Sequence, residues 1–377
     1  MVCVSCGCGR DGARLRVSLL SEHAHGPLPC HSPDSLTFPG PPAPLCLSVF
    51  SCVLHLHVVS PRDRCVLPRS GRDAHRRWRL NVNTRERRKM LRLGEDLKIG
   101  SQMLVGATNV LCTLRRTIAL TNIAPIVRGH AIVMPVSGVG RTAMLDDDEW
   151  LDLWRTALLA QQSAELSVGA DASNLLLREG AHAAWADAPA HLHVVPRLLG
   201  DFARNEAVFD AMQTWLPPGT EASGGPPPWS LPDDAERRDR TTGTMTVEAA
   251  SYRALMAAEV EEVPRAFGRF TIPSEHVFFD STTRLSQAFV NLRPLAPGHV
   301  LVTPRRVVAR LCELSPLERD DLFGAVRTVA RAVAAERAAA VAAAVDAADI
   351  IVELGVQDGR TAGQSVPHVH CHVIPRG

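Results

Sequence analysis

The chain has 377 residues, about twice the length of an ordinary domain, so its length predicts more than one folded unit. Its 41 Lys and Arg residues balance 40 Asp and Glu residues, and the formal charge of +1 argues against a dedicated nucleic-acid binder. The sequence contains no run of about 18 apolar residues, which argues against a membrane-spanning helix. We therefore expect a soluble protein of the cytoplasm, with the nucleus or an organelle as alternatives.

Residues 1–90 differ in composition from the rest of the chain. They contain 14 Lys and Arg residues against 6 Asp and Glu residues, and seven of the ten cysteines. Prolines interrupt them and no periodicity is sustained, which predicts a disordered, basic, Cys-containing extension, with an organellar transit segment as the alternative. Cys3, Cys6 and Cys8 lack a second ligand pair at zinc-finger spacing, so we expect no metal site there.

From residue 96 onward the sequence contains a duplicated pattern, which predicts a tandem repeat. One copy reads TIALTNIAPIVRGHAIVMP and the other reads AFVNLRPLAPGHVLVTP. Aligning Asn122 with Asn291 also aligns His130 with His299. Each copy has an apolar run, a turn with Pro and Gly, and a second apolar run, so we interpret each copy as a β-hairpin.

Each predicted hairpin is followed by a predicted helix and by a strand that carries histidines. In the first copy an acidic start precedes an amphipathic run over residues 150–166. In the second copy Ser315 begins a capping box before residues 317–334. The strand reads PAHLHVVPR over residues 189–197 and PHVHCHVIPR over residues 367–376. The same three elements in the same order indicate a duplication.

The last strand of the second copy predicts three imidazoles on one face. Because strand side chains alternate between faces, His368, His370 and His372 point one way and the residues between them point to the core. A neutral imidazole attacks phosphorus readily, and neighbouring imidazoles can donate to phosphate oxygens or protonate a leaving group. A His-rich surface strand and a zinc site are the alternatives, although no acid or Cys completes a zinc site on that face.

The segment HVHCHVIPR resembles the histidine triad motif, His-x-His-x-His followed by apolar residues. Around it, NLRPLAPGHVLVTP, the VQDG of residues 356–359 and the AGQSV of residues 362–366 resemble one branch of the histidine triad (HIT) superfamily. That branch is the fragile-histidine-triad branch, the dinucleoside triphosphate hydrolases. FGRF at residues 267–270 is similar to its opening strand, and in the first copy GDFARNEAVFDAM is similar to the segment after its triad.

The resemblance implies an α+β fold of two tandem HIT-like domains, each an antiparallel sheet with flanking helices. We expect the first domain over residues 96–258, with a mobile Pro- and Gly-rich loop at 217–245, and the second over residues 264–377. Proteins of this family form twofold dimers in which sheets join and helices pack across the axis. Two fused copies are therefore expected to form an intrachain pseudo-dimer, with further oligomerisation left open.

Carried onto the second copy, the resemblance implies that His370 is the nucleophile and that His299 supports its ring from the other nitrogen. His368 and His372 are expected to contact phosphate oxygens, and Gln357 to orient the polyphosphate and the hydrolytic water. A second polar contact near the phosphates, the ribose-binding residue and two walls of the base pocket are expected at Gln364, Asn291, Phe270 and Leu292. The alternatives are a turn residue for Asn291 and a core histidine for His299.

The first copy departs from this pattern and predicts a degenerate site. Pro189 stands at the first triad position, Arg178 where the second copy has Gln357, and Trp185 where it has Gln364. We expect these losses to impair catalysis, because the phosphate-orienting groups are missing. The residues that remain are Asn122, His130, His191 and His193.

The resemblance implies a dinucleoside polyphosphate hydrolase that converts diadenosine triphosphate to AMP and ADP. The alternatives are another nucleotidyl-histidine enzyme, such as a phosphorylase or a nucleoside phosphoramidase, and a nucleotide-binding sensor with little turnover. We expect a nucleotide partner, no tightly bound cofactor and no metal held by the protein. Mg²⁺ or Mn²⁺ could accompany the phosphates of the substrate.

Overall fold

The structure is a computed structural model that describes residues 97–99, 103–183, 187–220, 222, 237–340 and 350–376, with two short N-terminal strands. These strands, β1 (Val2–Gly7) and β2 (Arg14–Leu19), pair antiparallel in a unit of their own. The segment RLRVSL of β2 alternates polar and apolar residues as a strand does. The rest of the predicted extension, residues 1–90, lies outside the described residues.

Ten strands form one antiparallel sheet, in the order β12-β13-β14-β16-β15-β8-β9-β7-β6-β5. Two further hairpins, β3-β4 and β10-β11, stand apart from it. The strands in chain order are β3 (Leu97–Ile99), β4 (Met103–Val105), β5 (Val110–Thr113), β6 (Thr117–Thr121), β7 (Ala131–Pro135), β8 (Ala172–Arg178), β9 (His191–Arg197), β10 (Arg265–Phe267), β11 (Phe270–Ile272), β12 (Val277–Asp280), β13 (Ser286–Val290), β14 (Val300–Pro304), β15 (Ile351–Asp358) and β16 (Cys371–Arg376).

The sheet consists of two five-stranded halves with the same internal order. In the first half β6 and β7 form the predicted hairpin and β9 lies between β7 and β8; in the second half β13, β14, β16 and β15 repeat that arrangement. The halves join where β8 pairs antiparallel with β15, with Leu176 opposite Gly355 and Asn174 opposite Gln357. The predicted duplication and intrachain pseudo-dimer are confirmed.

In the described part of the chain four helices accompany the sheet: α1 (Asp147–Val168), α2 (Ala207–Gln213), α3 (Thr242–Met256) and α4 (Pro316–Ala340). The side chain of Asp146 accepts from the backbone N–H of Glu149, and the Glu149 carboxylate accepts from the backbone N–H of Asp146. This capping box begins α1 where the acidic run predicts a helix start. Ser315 and Glu318 form the predicted capping box before α4. Within the described part of the chain, no helix has the length and apolar character needed to cross a membrane.

The helices α1 and α4 cover the same face of the sheet and meet across the junction of the halves. The indole ring of Trp154 stacks on Phe323, with ring centroids 4.2 Å apart. Nε1 of Trp150 donates to the carbonyl of Phe323 over 2.7 Å. Both copies therefore share one core beneath the two helices, and the opposite face of the sheet carries the histidines.

The helix α3 packs against the second half, although it follows the first half in sequence. Its Tyr252 ring lies 4.8 Å from the Phe278 ring, and Arg253 donates to the carbonyl of Val277. A segment that follows the first copy in sequence therefore contacts the second half, and the predicted domain bounds at residues 258 and 264 stay a prediction. The last four residues of the predicted loop at 217–245 are helical, because α3 begins at Thr242; residues 223–236 of that loop lie outside the described residues.

Candidate active site

The histidines of the second copy lie on the face of the sheet opposite to α4. The intervening Val369, Cys371 and Val373 are buried in the core beneath the helices. The predicted alternation is therefore confirmed. His368 and His370 precede β16, which begins at Cys371, so the alternation extends beyond the hydrogen-bonded strand.

His370 is buried, and its ring is held by the backbone. Nδ1 of His370 donates to the carbonyl oxygen of His368 over 2.7 Å, which places the proton on Nδ1 and the lone pair on Nε2. None of the described residues bonds to Nε2. Burial lowers the pKa of His370 from 6.5 to about 4, so the ring is neutral at physiological pH. Neutral charge and a free Nε2 are what a nucleophilic imidazole requires.

His299 bonds to His372, which corrects the prediction that His299 supports the His370 ring. The backbone N–H of Leu295 donates to Nδ1 of His299 over 2.9 Å, so His299 carries its proton on Nε2. That N–H donates to Nδ1 of His372 over 3.0 Å. The physical reason is the strand register, in which β14 places Leu301, two residues after His299, opposite His372. This chain of hydrogen bonds from Leu295 through His299 to His372, here called the relay, leaves the N–H of His372 on Nε2, where it can donate.

His368 does not face a phosphate in the way predicted. Its Nε2 donates to the carbonyl of Pro304 over 2.8 Å, and its Nδ1 accepts from the backbone N–H of Gly268 over 3.1 Å. Both ring nitrogens are occupied by the backbone and the side chain is fully buried. His368 therefore braces the strand, and its carbonyl orients His370.

Aromatic packing around the histidines includes a residue that was not predicted as part of the site. The Phe267 ring lies 5.3 Å from His370, edge to face, and 5.5 Å from His368. The motif FGRF carried this signal. The predicted wall residues Phe270 and Leu292 are 47% and 46% exposed, which leaves both side chains open to a ligand.

The predicted polar contacts differ in how they are occupied. Oδ1 of Asn291 accepts from the Arg293 backbone over 3.1 Å, so Asn291 acts as the turn residue considered as its alternative, and its ribose role stays a prediction. Gln364 donates to the carbonyl of Ala309 over 2.9 Å. Gln357 forms no hydrogen bond to another described residue, and its amide is available to a ligand.

The first copy repeats the geometry of the second around its two remaining histidines. Nε2 of His130 bonds to Nδ1 of His193 over 2.9 Å, and Ile126 donates to Nδ1 of His130. Nδ1 of His191 donates to the carbonyl of Pro189 over 2.8 Å. The proline therefore keeps the backbone contact that orients the central histidine. Asn122 caps its turn through the Ala124 backbone, as Asn291 does in the second copy.

Two other features distinguish the first site. The Arg178 guanidinium is buried and lies 3.6 Å from the Glu353 carboxylate of the second half, so its charge is engaged across the junction. The Trp215 ring lies against His193 and His191, with centroids 5.3 Å and 6.2 Å away. An indole therefore occupies space above the first pair of histidines, and no sequence pattern indicated it. The predicted Trp185 lies outside the described residues.

The buried histidines make the stability of the fold depend on pH. Burial lowers the pKa of His130 and His299 to about 3 and the pKa of His191 to about 4. The unfolded chain, with imidazoles near pKa 6.5, then binds more protons below that pH than the folded chain does, so stability falls as the pH falls.

We expect the midpoint of urea unfolding to be constant above pH 7 and to fall steeply from pH 6.5 towards 4.5. Each such histidine should contribute about 1.4 kcal/mol per pH unit. His191→Asn has an amide that can keep the bond to the Pro189 carbonyl. It should reduce the pH dependence of the unfolding free energy by the contribution of one histidine. A midpoint that is flat across this window would contradict the assignment of neutral, buried rings.

Comparison with known proteins gives one family for both halves. The HIT domain model matches residues 105–198 and 269–377, more than half of the chain. The bis(5'-nucleosyl)-tetraphosphatase [asymmetrical] of Schizosaccharomyces pombe is 47% identical over 110 residues, 29% of this chain and 53% of that protein. The bis(5'-adenosyl)-triphosphatase of Dictyostelium discoideum is 43% identical over 110 residues, 29% of this chain and 66% of that protein.

Among solved structures, the C. elegans NitFhit protein is 40% identical, with 32% of this chain and 26% of that chain covered and a TM-score of 0.27. The chain spans about half to two thirds of the length of the two curated relatives above. The two regions matched by the family model each contain one of the histidine strands, β9 and β16. The chain belongs to the HIT domain family.

Proposed function

We propose that the protein is a dinucleoside polyphosphate hydrolase whose working site is the second copy, with a dinucleoside triphosphate such as diadenosine triphosphate as substrate. One observation carries the proposal: the free Nε2 of neutral His370 stands beside His372, whose Nε2–H is fixed by the relay from His299. The rings of His370 and His372 are 5.0 Å apart. A nucleophile and a hydrogen-bond donor thus face the same space, as attack on the α-phosphorus of a phosphoric anhydride requires.

In the first step Nε2 of His370 attacks the α-phosphorus, and the bond from phosphorus to the bridging oxygen breaks. The leaving group is a nucleoside diphosphate, and the product on the enzyme is a nucleotidyl-histidine. His372 donates to a non-bridging oxygen as charge develops there. In the second step water attacks phosphorus, the P–N bond breaks, and a nucleoside monophosphate and the neutral imidazole are released. The net reaction adds one water to one dinucleoside triphosphate.

Among the described residues, Gln357 is well placed to orient the water. It follows Val356, which pairs with Cys371, so its side chain emerges beside His370 on the histidine face. An amide can accept from water and donate to phosphate at once. The magnesium or manganese of the substrate complex would neutralise phosphate charge without a protein ligand. Among the described residues no group of His, Cys, Asp and Glu side chains is arranged to hold a metal ion.

The test is incubation of the purified full chain with diadenosine tri- and tetraphosphate in H₂¹⁸O, with chromatography of the products. We expect AMP and ADP in equal amounts from the triphosphate, with the ¹⁸O in AMP alone, because water attacks only the nucleotidyl-histidine. Rapid quenching in base should retain a nucleotidyl group on the protein, since a phosphorus–nitrogen bond to imidazole is labile in acid.

The same experiment separates the alternative activities. Added inorganic phosphate should leave the products unchanged; conversion of AMP to a second ADP would identify a phosphorylase. Faster cleavage of a nucleoside phosphoramidate than of the triphosphate would identify a phosphoramidase. Tight binding without products would identify a sensor and would overturn the proposal.

A further inference from the structure

The segment that follows β9 in the first half runs towards Gln357 of the second half. This follows from the pairing of β8 with β15, which places the end of the first half's histidine strand beside the second half's turn at Arg360–Ala362. Asn174 of β8 lies opposite Gln357 of β15 in that register. The residues after Arg197 therefore lie at the edge of the second site.

A chain of hydrogen bonds fixes this segment to the second half. The Arg197 guanidinium binds both carboxylate oxygens of Asp201 over 2.8 Å. It also donates to Oδ1 of Asn174 over 2.7 Å. Nδ2 of Asn174 donates in turn to the carbonyl of Ala362 over 3.0 Å. Because a bidentate arginine pair has little freedom, the backbone from 198 to 201 is held in place.

The segment ends at Asn205, whose amide reaches the turn beside Gln357. A Cβ placed on Gly363 would lie 2.5 Å from Nδ2 of Asn205 and 2.7 Å from Nε2 of Gln357. Both amide nitrogens, one from each half, therefore lie beside Gly363 and near one another. Oδ1 of Asn205 is buried and bonds to none of the described residues, and an unpaired buried acceptor is costly.

We propose that Asn205 is a positioning residue of the second site, supplied by the first half, which holds the amide of Gln357 for the hydrolytic step. A 180° rotation of the Asn205 amide lets Nε2–H of Gln357 donate to Oδ1 of Asn205. Oε1 of Gln357 is then left to accept from the water that attacks the nucleotidyl-histidine. This inference rests on the proposed function, and it gives the degenerate half a part in the chemistry of the other.

The test is steady-state and rapid-quench kinetics of Asn205→Ala in the full chain with diadenosine triphosphate. A misplaced Gln357 should slow hydrolysis of the intermediate, so kcat should fall about tenfold while kcat/KM changes by less than about twofold. The first turnover should then release ADP in a burst, with nucleotidyl-enzyme accumulating. If Asn205 were only structural, the variant would be less stable, but kcat and kcat/KM would change together and no burst of ADP would appear.

Three comparisons complete the experiment. In a Gln357→Ala background, Asn205→Ala should cause no more than about a twofold further loss, because the two residues act as one unit. Glu206→Ala, at the exposed neighbouring position whose side chain forms no cap, should behave as the wild type. Asn205→Ser provides a second variant if Asn205→Ala unfolds early in a thermal scan.

The possible outcomes are distinct. Absence of wild-type turnover would contradict the proposed hydrolase itself. Wild-type turnover with an unchanged kcat in both Asn205 variants would overturn the role of Asn205 alone. Equal, independent losses in the Asn205 and Gln357 single variants that multiply in the double variant would overturn it as well.

Discussion

His370→Ala is expected to reduce hydrolysis of diadenosine triphosphate at least about 10⁴-fold, because the covalent step then has no nucleophile. His372, the nearest other imidazole, presents an N–H at its Nε2 and has its Nδ1 occupied by His299. It therefore cannot substitute. Binding of a non-hydrolysable analogue, measured by calorimetry, should stay within a few fold of the wild type, since the phosphate donors remain.

The matched control is His191→Ala, the same change at the same position of the first half. We expect it to reduce turnover by less than about twofold, because Trp215 lies over that ring and Arg178 is engaged by Glu353. Nearly equal losses in the two variants would show that both sites work. Substantial residual activity in His370→Ala would show that the second site is not the working one.

Trp154→Ala should lower the free energy of unfolding by about 3–5 kcal/mol, the usual cost of removing a large buried aromatic side chain. Trp154 is fully buried and stacks on Phe323 of the other half, so the loss falls on the junction of the halves. We expect one cooperative urea transition at a lower midpoint, with activity lost in the same transition. Circular dichroism and activity measured on the same samples would test this.

Leu166→Ala is the matched control, because Leu166 lies on the same helix and is 84% exposed. It should leave the free energy of unfolding unchanged within about 0.5 kcal/mol. A Trp154→Ala protein that unfolds in two steps, with the second site still active after the first, would contradict the shared core. It would show instead that the second half is an independent unit.

Local patterns in the sequence predicted the features that depend on near neighbours. The alternation of His368, His370 and His372 with core residues follows from the two-residue period of a strand. The capping box at Ser315 follows from a spacing of three residues, and the start of α1 follows from its acidic run. The repeat of hairpin, helix and histidine strand then determined the order of elements within each half.

Features that depend on contacts between distant residues were missed or assigned wrongly. His299 was assigned to His370 because spacing alone does not reveal which residues face each other in β14 and β16. Trp215 and Asn205 reach their sites through loops, and a loop residue has no period to indicate its direction. The position of α3 on the second half depends on contacts of Tyr252 and Arg253 with residues 277–278, which lie about 25 residues later in the sequence.

The contact between Arg178 and Glu353 bears on how the two copies could diverge. Arg178 is the counterpart of Gln357 in the repeat, and Glu353 is the counterpart of Asn174, so the contact has no twin on the other side of the junction. Two identical chains could not contain it only once, because every substitution in a homodimer is made twice. Covalent fusion removes that constraint. One half could therefore carry an arginine where the other carries Gln357, and the resulting ion pair makes the junction of the two halves asymmetric.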